Sequence, residues 1–246
     1  MFLFQNSYAT SRTEARRMIE SGSVSVNGKD VFKASFAIVP ESDLIKINNF
    51  ERKYVSRGGF KLECALENFD IDIKDRLAID VGASSGGFTD CLLQNGVRSV
   101  IALDSGSGQL VKKIRDDKRV YVIENYNARY ISKSDLPYVP NLAVMDVSFI
   151  SATYIIPALF ASLSPLADFI CLIKPQFEVG KANIGKRGIV KDEKVREEAV
   201  KKVTSFAEKI GFETVKVVKS DITGGDGNVE YLAHFKKTAL SEGECV

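Results

Sequence analysis

The stretch Ile79-Asp80-Val81-Gly82-Ala83-Ser84-Ser85-Gly86-Gly87-Phe88-Thr89-Asp90 decides the fold of this 246-residue chain. It continues an apolar run that predicts a buried strand over residues 77–81, and it leads into a predicted helix over residues 88–95. The glycines between them remove side chains, so a ligand can touch the backbone there. The free N–H groups at the start of the helix point to the same place. This order of strand, glycine turn and helix is typical of the ligand-binding corner of an open α/β sheet.

Three classes of ligand use such a corner. The dinucleotide motif G-x-G-x-x-G needs a second glycine that the run 82–87 lacks, and a phosphate loop needs a lysine that is absent. S-adenosylmethionine needs a close backbone but no pyrophosphate site. Residues 80–88 resemble the first motif of methyltransferases, which implies S-adenosylmethionine as cofactor. The resemblance implies cofactor contacts along the whole turn, from Asp80, Gly82, Ser84, Ser85, Gly86, Gly87 and Phe88. A tight glycine turn that binds nothing is the alternative.

The same turn contains a rival pattern. Residues 82–86 match G-x-S-x-G, the nucleophile elbow of serine hydrolases, and Asp146 and His234 follow Ser84 in triad order. However, Ser84 follows the first strand of the predicted sheet, and His234 lies in an alternating strand pattern where a triad histidine would need a loop. We therefore predict that His234 is a hydrogen-bonded residue of the sheet, and we keep a hydrolase that uses Ser84 as an alternative.

Length and composition bound the possible functions. A chain of 246 residues that is 45% hydrophobic can bury one full-sized core and a small second domain. The net charge is only +2, so a nucleic-acid site must be a local patch. Four cysteines without metal-ligand spacing and a single histidine predict no metal site and a reducing, cytoplasmic location. No signal peptide or membrane-spanning run is visible, so no obligatory membrane partner is expected.

Strands and helices alternate regularly from residue 77 onward. The predicted strands are 77–81, 98–103, 120–123, 142–147 and 168–173, and the predicted helices lie near 88–95, 106–116, 151–163 and 192–210. Two closing strands, 212–218 and 229–235, complete the pattern. This predicts an α/β fold with a doubly wound, Rossmann-like parallel sheet and a closing β-hairpin, as in methyltransferases of this class. Asp104 ends the second strand, where an acid can accept both ribose hydroxyls, and Asn127 follows the third strand, facing the adenine.

A small α+β domain is predicted before this sheet. Ser11 to Glu14 form a capping box that starts a helix near Arg12, and this helix stops at Gly22. Asn27-Gly28 then predicts a type I′ hairpin turn between a strand at 24–26 and a return strand that begins at Val31-Phe32. A last strand is predicted over 43–47.

Residues 11–29 closely resemble the small RNA-binding domain named after ribosomal protein S-four. The resemblance implies that a basic cluster binds RNA phosphates; its members are Arg12, Arg16 and Arg17, with Arg57 beyond the domain. A solvated surface helix is the alternative. In that family a short first helix usually opens with Met-Arg-Leu-Asp, whereas this chain opens with Met1-Phe2-Leu3-Phe4-Gln5, so we expect a truncated first helix.

The predicted boundaries are 1–48 for the RNA-binding domain, 49–55 for a linker, 56–240 for the methyltransferase domain and 241–246 for a tail. A Gly/Lys-rich loop follows the fifth strand, and residues 174–191 contain five basic residues and one acid. This loop contains Lys186 and Arg187, which would contact RNA if the loop closes over it. A mobile surface loop is the equally weighted alternative.

Reactive groups in α/β sheets cluster at the carboxyl ends of strands. Asp146 and Lys174 end the fourth and fifth strands, Lys61 lies in the first turn of a helix, and Glu230 lies in the last strand. Together they resemble the Lys-Asp-Lys-Glu set of ribose 2′-O-methyltransferases, in which Asp146 would also contact the cofactor. Lys174 would remove the ribose hydroxyl proton with Lys61 as its cationic neighbour, while the two acids hold the lysines in place. Structural ion pairs are the alternative.

Taken together, these motifs resemble the TlyA family over nearly the whole chain, and no departure appears at the four catalytic positions. The resemblance implies an S-adenosylmethionine-dependent 2′-O-methyltransferase with an FtsJ-like domain that acts on cytidine in ribosomal RNA, with ribosomal RNA or ribosomal subunits as partners. Members are often named hemolysins, so a membrane-active protein is an alternative, although no secretion signal or basic amphipathic helix supports it. A small-molecule methyltransferase would not need residues 1–50.

Overall fold

The protein is described from a computed structural model. The model describes residues 2–6, 8–9, 11–20, 22–48, 53–185, 188–224 and 227–238. The chain divides into two units, residues 1–57 and residues 58–246. The predicted tail 241–246 and most of the predicted linker lie outside the described residues.

The first unit packs two helices on a small antiparallel sheet. Helix α1 spans Phe2–Gln5 and α2 spans Arg12–Glu20, while the strands are β1 (Val24–Val26), β2 (Lys29–Asp30) and β3 (Ile45–Ile47). The sheet order is β2-β1-β3. The cap is as predicted, because the Ser11 hydroxyl accepts a hydrogen bond from the Glu14 backbone N–H at 3.0 Å. The apolar faces of α1, α2 and β1 form the core of this unit.

The hairpin of the first unit is tighter than predicted. Asn27 and Gly28 both have positive φ, at 52° and 79°, as a type I′ turn requires. Because Val26 pairs directly with Lys29, the return strand is Lys29–Asp30, and the prediction of a strand start at Val31 is wrong. The last strand begins at Ile45 because the Asp43 carboxylate instead accepts hydrogen bonds from the Val39 N–H and the Asn27 side chain, both at 2.8 Å.

The second unit is built on a seven-stranded sheet. Helix α3, Arg57–Phe69, leads into it. The strands are β4 (Leu77–Val81), β5 (Ser99–Leu103), β6 (Val120–Ile123), β7 (Leu142–Met145), β8 (Asp168–Ile173), β9 (Phe212–Lys219) and β10 (Tyr231–Lys237). Their order is β6-β5-β4-β7-β8-β10-β9, with β10 antiparallel to both of its neighbours and the other pairs parallel. The predicted Rossmann-like sheet with a closing hairpin is confirmed.

The two predicted helices between β5 and β8 are shorter than expected. After α3, the helices of the second unit are α4 (Gly87–Gln94), α5 (Lys112–Arg115), α6 (Ile156–Ser162), α7 (Pro175–Glu178) and α8 (Glu193–Ile210), with 3-10 turns at Ala128–Tyr130, Lys133–Asp135, Ala152–Tyr154 and Lys181–Asn183. The predicted helix over 106–116 is wrong for residues 106–111. The Asp104 carboxylate binds the Gly106 N–H and the Glu124 carboxylate binds the Gly108 N–H, and these bonds hold the segment as a loop.

The central strands are buried on both faces, which explains why their sequences are almost continuously apolar. Every residue of β7 and β8 is buried, including Asp168 at the amino end of β8. Helices α6 and α8 pack their apolar residues on this sheet with the aromatic rings of Phe169, Phe212 and Phe235. The carboxyl ends of β4, β5, β7 and β8 therefore meet along one edge of a rigid core, which is where the site lies.

Candidate methyltransferase site

The glycine turn between β4 and α4 brings two strand ends together. Gly82 has a φ of +87°, which favours glycine, and a β-carbon added there would lie 2.5 Å from the carbonyl oxygen of Asp146. Val81 pairs with Met145 in the parallel ladder, so Gly82 and Asp146 are the first residues beyond their two strands. A side chain at position 82 would separate these strand ends, so the close approach depends on glycine.

Asp104 organises the neighbouring strand end. Its carboxylate accepts a hydrogen bond from the Ser84 N–H at 2.8 Å and another from the Gly106 N–H at 2.7 Å. The Ser84 hydroxyl in turn donates to the Gln109 side chain at 3.1 Å. The acid at the end of β5 thus ties the glycine turn to the loop that follows β5, and it is fixed before any ligand arrives.

A cavity of about 480 Å³ opens along these strand ends. It is lined by residues from the turns after β4, β5, β6 and β7. Five predicted cofactor-binding residues line it, namely Gly82, Ser84, Asp104, Asn127 and Asp146. The Asn127 side-chain oxygen accepts from the Arg129 N–H at 3.1 Å and so starts the turn Ala128–Tyr130. This volume lies within the range of small-molecule and cofactor sites.

The other predicted cofactor residues are not among those that line this cavity. Gly86, Gly87 and Phe88 are buried where the turn enters α4, and Ser85 is partly exposed beside them. Asp80 is wholly buried and accepts a hydrogen bond from the Thr89 hydroxyl at 2.6 Å. Burial, followed by the nearby charge of Asp146, raises the pKa of Asp80 to about 7, although the bond from Thr89 opposes this rise.

Lys174 lies directly beyond β8 and is held from two sides. Its Nζ is 2.5 Å from Oδ1 of Asp146 and donates a hydrogen bond to the Ser148 hydroxyl at 2.8 Å. The side chain of Lys174 is 11% exposed and that of Asp146 is 21% exposed. The carboxylate also lines the cavity, so this ion pair lies at the boundary between the protein interior and the cavity.

The second predicted ion pair is more deeply buried. Nζ of Lys61, from α3, is 2.5 Å from Oε2 of Glu230, and the two side chains are only 9% and 2% exposed. Tyr231 pairs with Ile173 at the end of the β8–β10 ladder, so Glu230 and Lys174 are the next residues on adjacent antiparallel strands. The strand registers thus bring Asp146, Lys174 and Glu230 to neighbouring strand ends, and Lys61 joins them through Glu230.

The comparisons with known proteins identify the family. The model of the FtsJ-like methyltransferase family matches residues 54–237, and the S4 domain model matches residues 1–45. A protein of Mycobacterium tuberculosis named 16S/23S rRNA (cytidine-2′-O)-methyltransferase TlyA is 41% identical, covering 94% of this chain and 86% of its own length. The chain belongs to the TlyA family of FtsJ-like methyltransferases.

Two further relatives extend the comparison within the TlyA family. Hemolysin A of Brachyspira hyodysenteriae is 42% identical, over 95% of this chain and 97% of its own length. A solved structure from Streptococcus thermophilus that also carries the hemolysin name is 41% identical, covers 96% of this chain and 86% of its own, and superposes with a TM-score of 0.76. Within the described part of the present chain, no helix is long and apolar enough to cross a membrane.

The hydrolase alternative has no support in this TlyA-family structure. His234 is buried in β10, and its Nε2 lies 2.8 Å from Oδ1 of Asp168, the first residue of β8. Ser84 follows the carboxyl end of β4, where its hydroxyl donates to Gln109. The nucleophile and the base of a triad would therefore lie three strands apart in the sheet. The prediction that His234 is a hydrogen-bonded sheet residue is confirmed.

Sequence reasoning missed three residues of the site. Ser148 belongs to no recognisable motif, yet its hydroxyl accepts a hydrogen bond from Lys174 Nζ. Gln109 accepts a hydrogen bond from the Ser84 hydroxyl. Phe149 is 91% exposed, lines the cavity and has a φ of +64°, which is strained for an aromatic residue. Its ring centroid lies 5.2 Å from that of Phe177. The available signal was the polar and aromatic stretch directly after the apolar strand β7.

Four of the six predicted RNA-binding residues lie within the described part of the chain. Arg12, Arg16 and Arg17 are exposed on α2, where Arg16 also pairs with Glu20 at 2.7 Å. Arg57 is the first residue of α3. Lys186 and Arg187 lie outside the described residues. No group of three or more His, Cys, Asp and Glu side chains is placed to hold a metal ion in the described ranges.

Proposed function

We propose that this protein transfers the methyl group of S-adenosylmethionine to the ribose 2′-hydroxyl of cytidine in ribosomal RNA. One observation carries the proposal: Lys174 contacts Asp146 and Ser148, and these two residues line a cofactor-sized cavity beside the glycine turn. The TlyA-family relatives named as rRNA (cytidine-2′-O)-methyltransferases support the nature of the substrate.

The cavity residues fit the proposed cofactor. The Gly82 turn offers backbone without a side chain, Asp104 offers carboxylate oxygens to ribose hydroxyls, and Asn127 lies where the adenine would be held. Asp80, Ser85, Gly86, Gly87 and Phe88 would support the turn from beneath. When bound, S-adenosylmethionine supplies an electrophilic methyl group, so the remaining task for the protein is to deprotonate and orient the hydroxyl.

Lys174 is the proposed base. To act as a base, Lys174 would carry a neutral amine with one lone pair, while its Nζ donates to the Ser148 hydroxyl and lies 2.5 Å from Asp146 Oδ1. This lone pair would accept the proton of the ribose hydroxyl as the oxygen takes the methyl group, and the cofactor's methyl–sulfur bond would break to leave S-adenosylhomocysteine. The resulting ammonium is stabilised by Asp146. Alignment of the hydroxyl with the methyl carbon supplies a further large part of the rate.

Lys61 and Glu230 have a supporting role in this proposal. Because Glu230 neutralises Lys61 within 2.5 Å, the pair contributes a local dipole beside Lys174 and little net charge. The pair also fixes α3 to the end of β10, next to the end of β8. The two pairs together form the Lys-Asp-Lys-Glu set, with Asp146 and Lys174 nearest to the chemistry.

The first unit is proposed to bind structured RNA. The three arginines exposed on α2 can contact phosphates, and we propose that Arg57, Lys186 and Arg187 also bind RNA. Phe149, exposed at the cavity, offers an aromatic face to a nucleotide base. A ribosomal RNA substrate, free or in a ribosomal subunit, would place the enzyme in the cytoplasm.

The test is direct. Ribosomal RNA or subunits are incubated with the protein and methyl-labelled S-adenosylmethionine, and the RNA is digested to nucleosides. We expect the label in 2′-O-methylcytidine, and we expect none with Lys174→Ala. A label on a base, or on another nucleoside, would contradict the proposed reaction or its target. Equal labelling by the Lys174→Ala variant would contradict the proposed site.

A further inference from the structure

A buried carboxylate outside the Lys-Asp-Lys-Glu set lies four residues after Lys174. Glu178 ends α7, and its side chain is only 3% exposed. One oxygen accepts from the Ala152 N–H at 2.7 Å, while the other accepts from the Ser151 hydroxyl at 2.5 Å and from Lys202 Nζ at 3.2 Å. A buried charge with three donors is a strong and directional anchor.

The partners of Glu178 show what this anchor holds. Ser151 and Ala152 end the loop that begins at Asp146 directly after β7, and we call residues 146–152 the β7 loop. This loop carries both groups that contact Lys174, namely Asp146 and Ser148. Glu178 belongs to the segment that carries Lys174 itself. The anchor therefore joins the two segments whose side chains must meet for the proposed chemistry.

The β7 loop and α7 are cross-linked at three successive levels. Lys174 binds Asp146 and Ser148 at the cavity end, the rings of Phe149 and Phe177 lie 5.2 Å apart in the middle, and Glu178 closes the far end. The positive φ of Phe149 shows that the loop adopts a conformation that its sequence alone disfavours. Such a conformation persists only where surrounding contacts enforce it, and Glu178 supplies two contacts to the loop, at Ser151 and Ala152.

We propose that Glu178 is a positioning residue for methyl transfer, which holds the β7 loop so that Asp146 and Ser148 orient the Lys174 amine. This inference rests on the proposed function of Lys174. It differs from a purely structural role because it ties the rate of the transfer step to the geometry of the loop. The β7 loop also lines the cavity, but Asp104 and Asn127 come from other turns, so the proposed ribose and adenine contacts do not depend on this anchor.

The test compares Glu178→Gln with Lys202→Met. The amide of Glu178→Gln is neutral and has one acceptor oxygen in place of two, so it cannot accept from both Ser151 and Ala152 as the carboxylate does, and the anchor is weakened. We expect single-turnover transfer to ribosomal RNA, at saturating cofactor and RNA, to fall about 10- to 100-fold. The cofactor Kd and the RNA half-saturation should change less than about threefold. Lys202, whose side chain is 48% exposed, is the matched control; Lys202→Met leaves Ser151 and Ala152 bound to Glu178 and should retain at least about a third of the rate.

Three outcomes would overturn the inference. Glu178→Gln could transfer at the wild-type rate per folded molecule, its loss could lie wholly in cofactor affinity, or Lys202→Met could lose as much as Glu178→Gln. If Glu178→Gln does not fold, Ser151→Ala replaces it, with an expected several-fold loss of rate at an unchanged thermal midpoint; an unchanged rate would overturn the inference. A wild-type chain that methylates no ribose would instead overturn the proposed function itself.

Discussion

The two lysine–carboxylate pairs have the same length and different surroundings. In each, the nitrogen and oxygen are 2.5 Å apart, but Lys61 and Glu230 are sealed from solvent while Lys174 and Asp146 adjoin an open cavity. A sealed pair cannot reach a substrate, and removing one partner leaves a buried charge. In an ion pair beside a cavity, water or a ligand can replace one partner at a low cost in free energy. The comparison assigns stability mainly to Lys61–Glu230 and chemistry mainly to Lys174–Asp146.

The largest expected effect is on stability. Lys61→Met leaves Glu230 buried without its cation and should lower the free energy of unfolding by roughly 3–5 kcal/mol. Lys174→Met should cost about 1 kcal/mol or less, because Asp146 can be solvated from the cavity. Urea unfolding at equilibrium measures both. Equal losses would show that the two pairs do not differ as described, and the double variant Lys61→Met/Glu230→Gln should recover part of the loss.

The second prediction concerns the rate of methyl transfer, for which we expect Lys174–Asp146 to matter more than Lys61–Glu230. Lys174→Ala should fold, keep its cofactor affinity within a few-fold and lose methyl transfer by a factor on the order of 10² or more. Lys174→Arg should be nearly as inactive, since a guanidinium does not give up its proton near neutral pH. Single-turnover methylation of ribosomal RNA at saturating cofactor is the measurement. Near-wild-type transfer by the arginine variant would exclude proton removal by this position.

The third prediction distinguishes Lys174–Asp146, which should affect the transfer rate, from Asp104 in the same cavity, which should affect cofactor binding. Asp104→Ala should weaken S-adenosylmethionine binding by roughly 1.5–3 kcal/mol, because a charge-assisted acceptor for the ribose is lost. The transfer rate at saturating cofactor should stay close to that of the wild type. Calorimetry gives the affinity, and Asp104→Asn, which keeps one acceptor oxygen, is the graded control. An unchanged affinity in a folded Asp104→Ala variant would move the ribose site elsewhere.

The smallest effect, counted per unit of pH, concerns Asp80, whose pKa is raised by burial and partly by the charge of Asp146. The pKa of Asp80 is raised to about 7, so the folded protein binds a proton that the unfolded chain releases near pH 4. Stability from this group is therefore present at low pH and falls as pH rises toward 7, by on the order of 1 kcal/mol per pH unit at most. Asp80→Asn should become more stable relative to wild type between pH 5 and pH 8. Urea unfolding at both pH values tests this, and a constant difference would contradict it.

The strands could be predicted because a strand that is buried on both faces has an almost continuously apolar sequence. The strands β4, β6 and β8 have the predicted bounds, since each is a short apolar run between polar turns. The segment 106–111 failed because its conformation depends on Asp104 and Glu124, whose side chains capture backbone N–H groups from outside it. A helical pattern does not reveal these bonds, because one acceptor lies two residues before the N–H that it binds and the other lies sixteen residues after.

The structure brings the four predicted residues together, but their pairings could not be predicted, and their catalytic role stays a prediction. Position on a helix or strand singled out each of Lys61, Asp146, Lys174 and Glu230, and the resemblance grouped them as one set. The sequence-based mechanism treated Lys61 as a cationic neighbour of Lys174, whereas the structure gives Lys61 its own carboxylate. Ser148 and Glu178 were missed because their roles depend on the path of the β7 loop, which no spacing rule describes.

The partnership of Lys61 with Glu230 also has a consequence for the order of events during synthesis. The two residues are 169 positions apart, so a ribosome translates most of the chain between them. Because Glu230 precedes the last strand of the sheet, Lys61 has no access to this partner until the closing hairpin forms. The proposed Lys-Asp-Lys-Glu set is therefore completed only after the last strand has been synthesised, although every residue of the glycine turn is made much earlier.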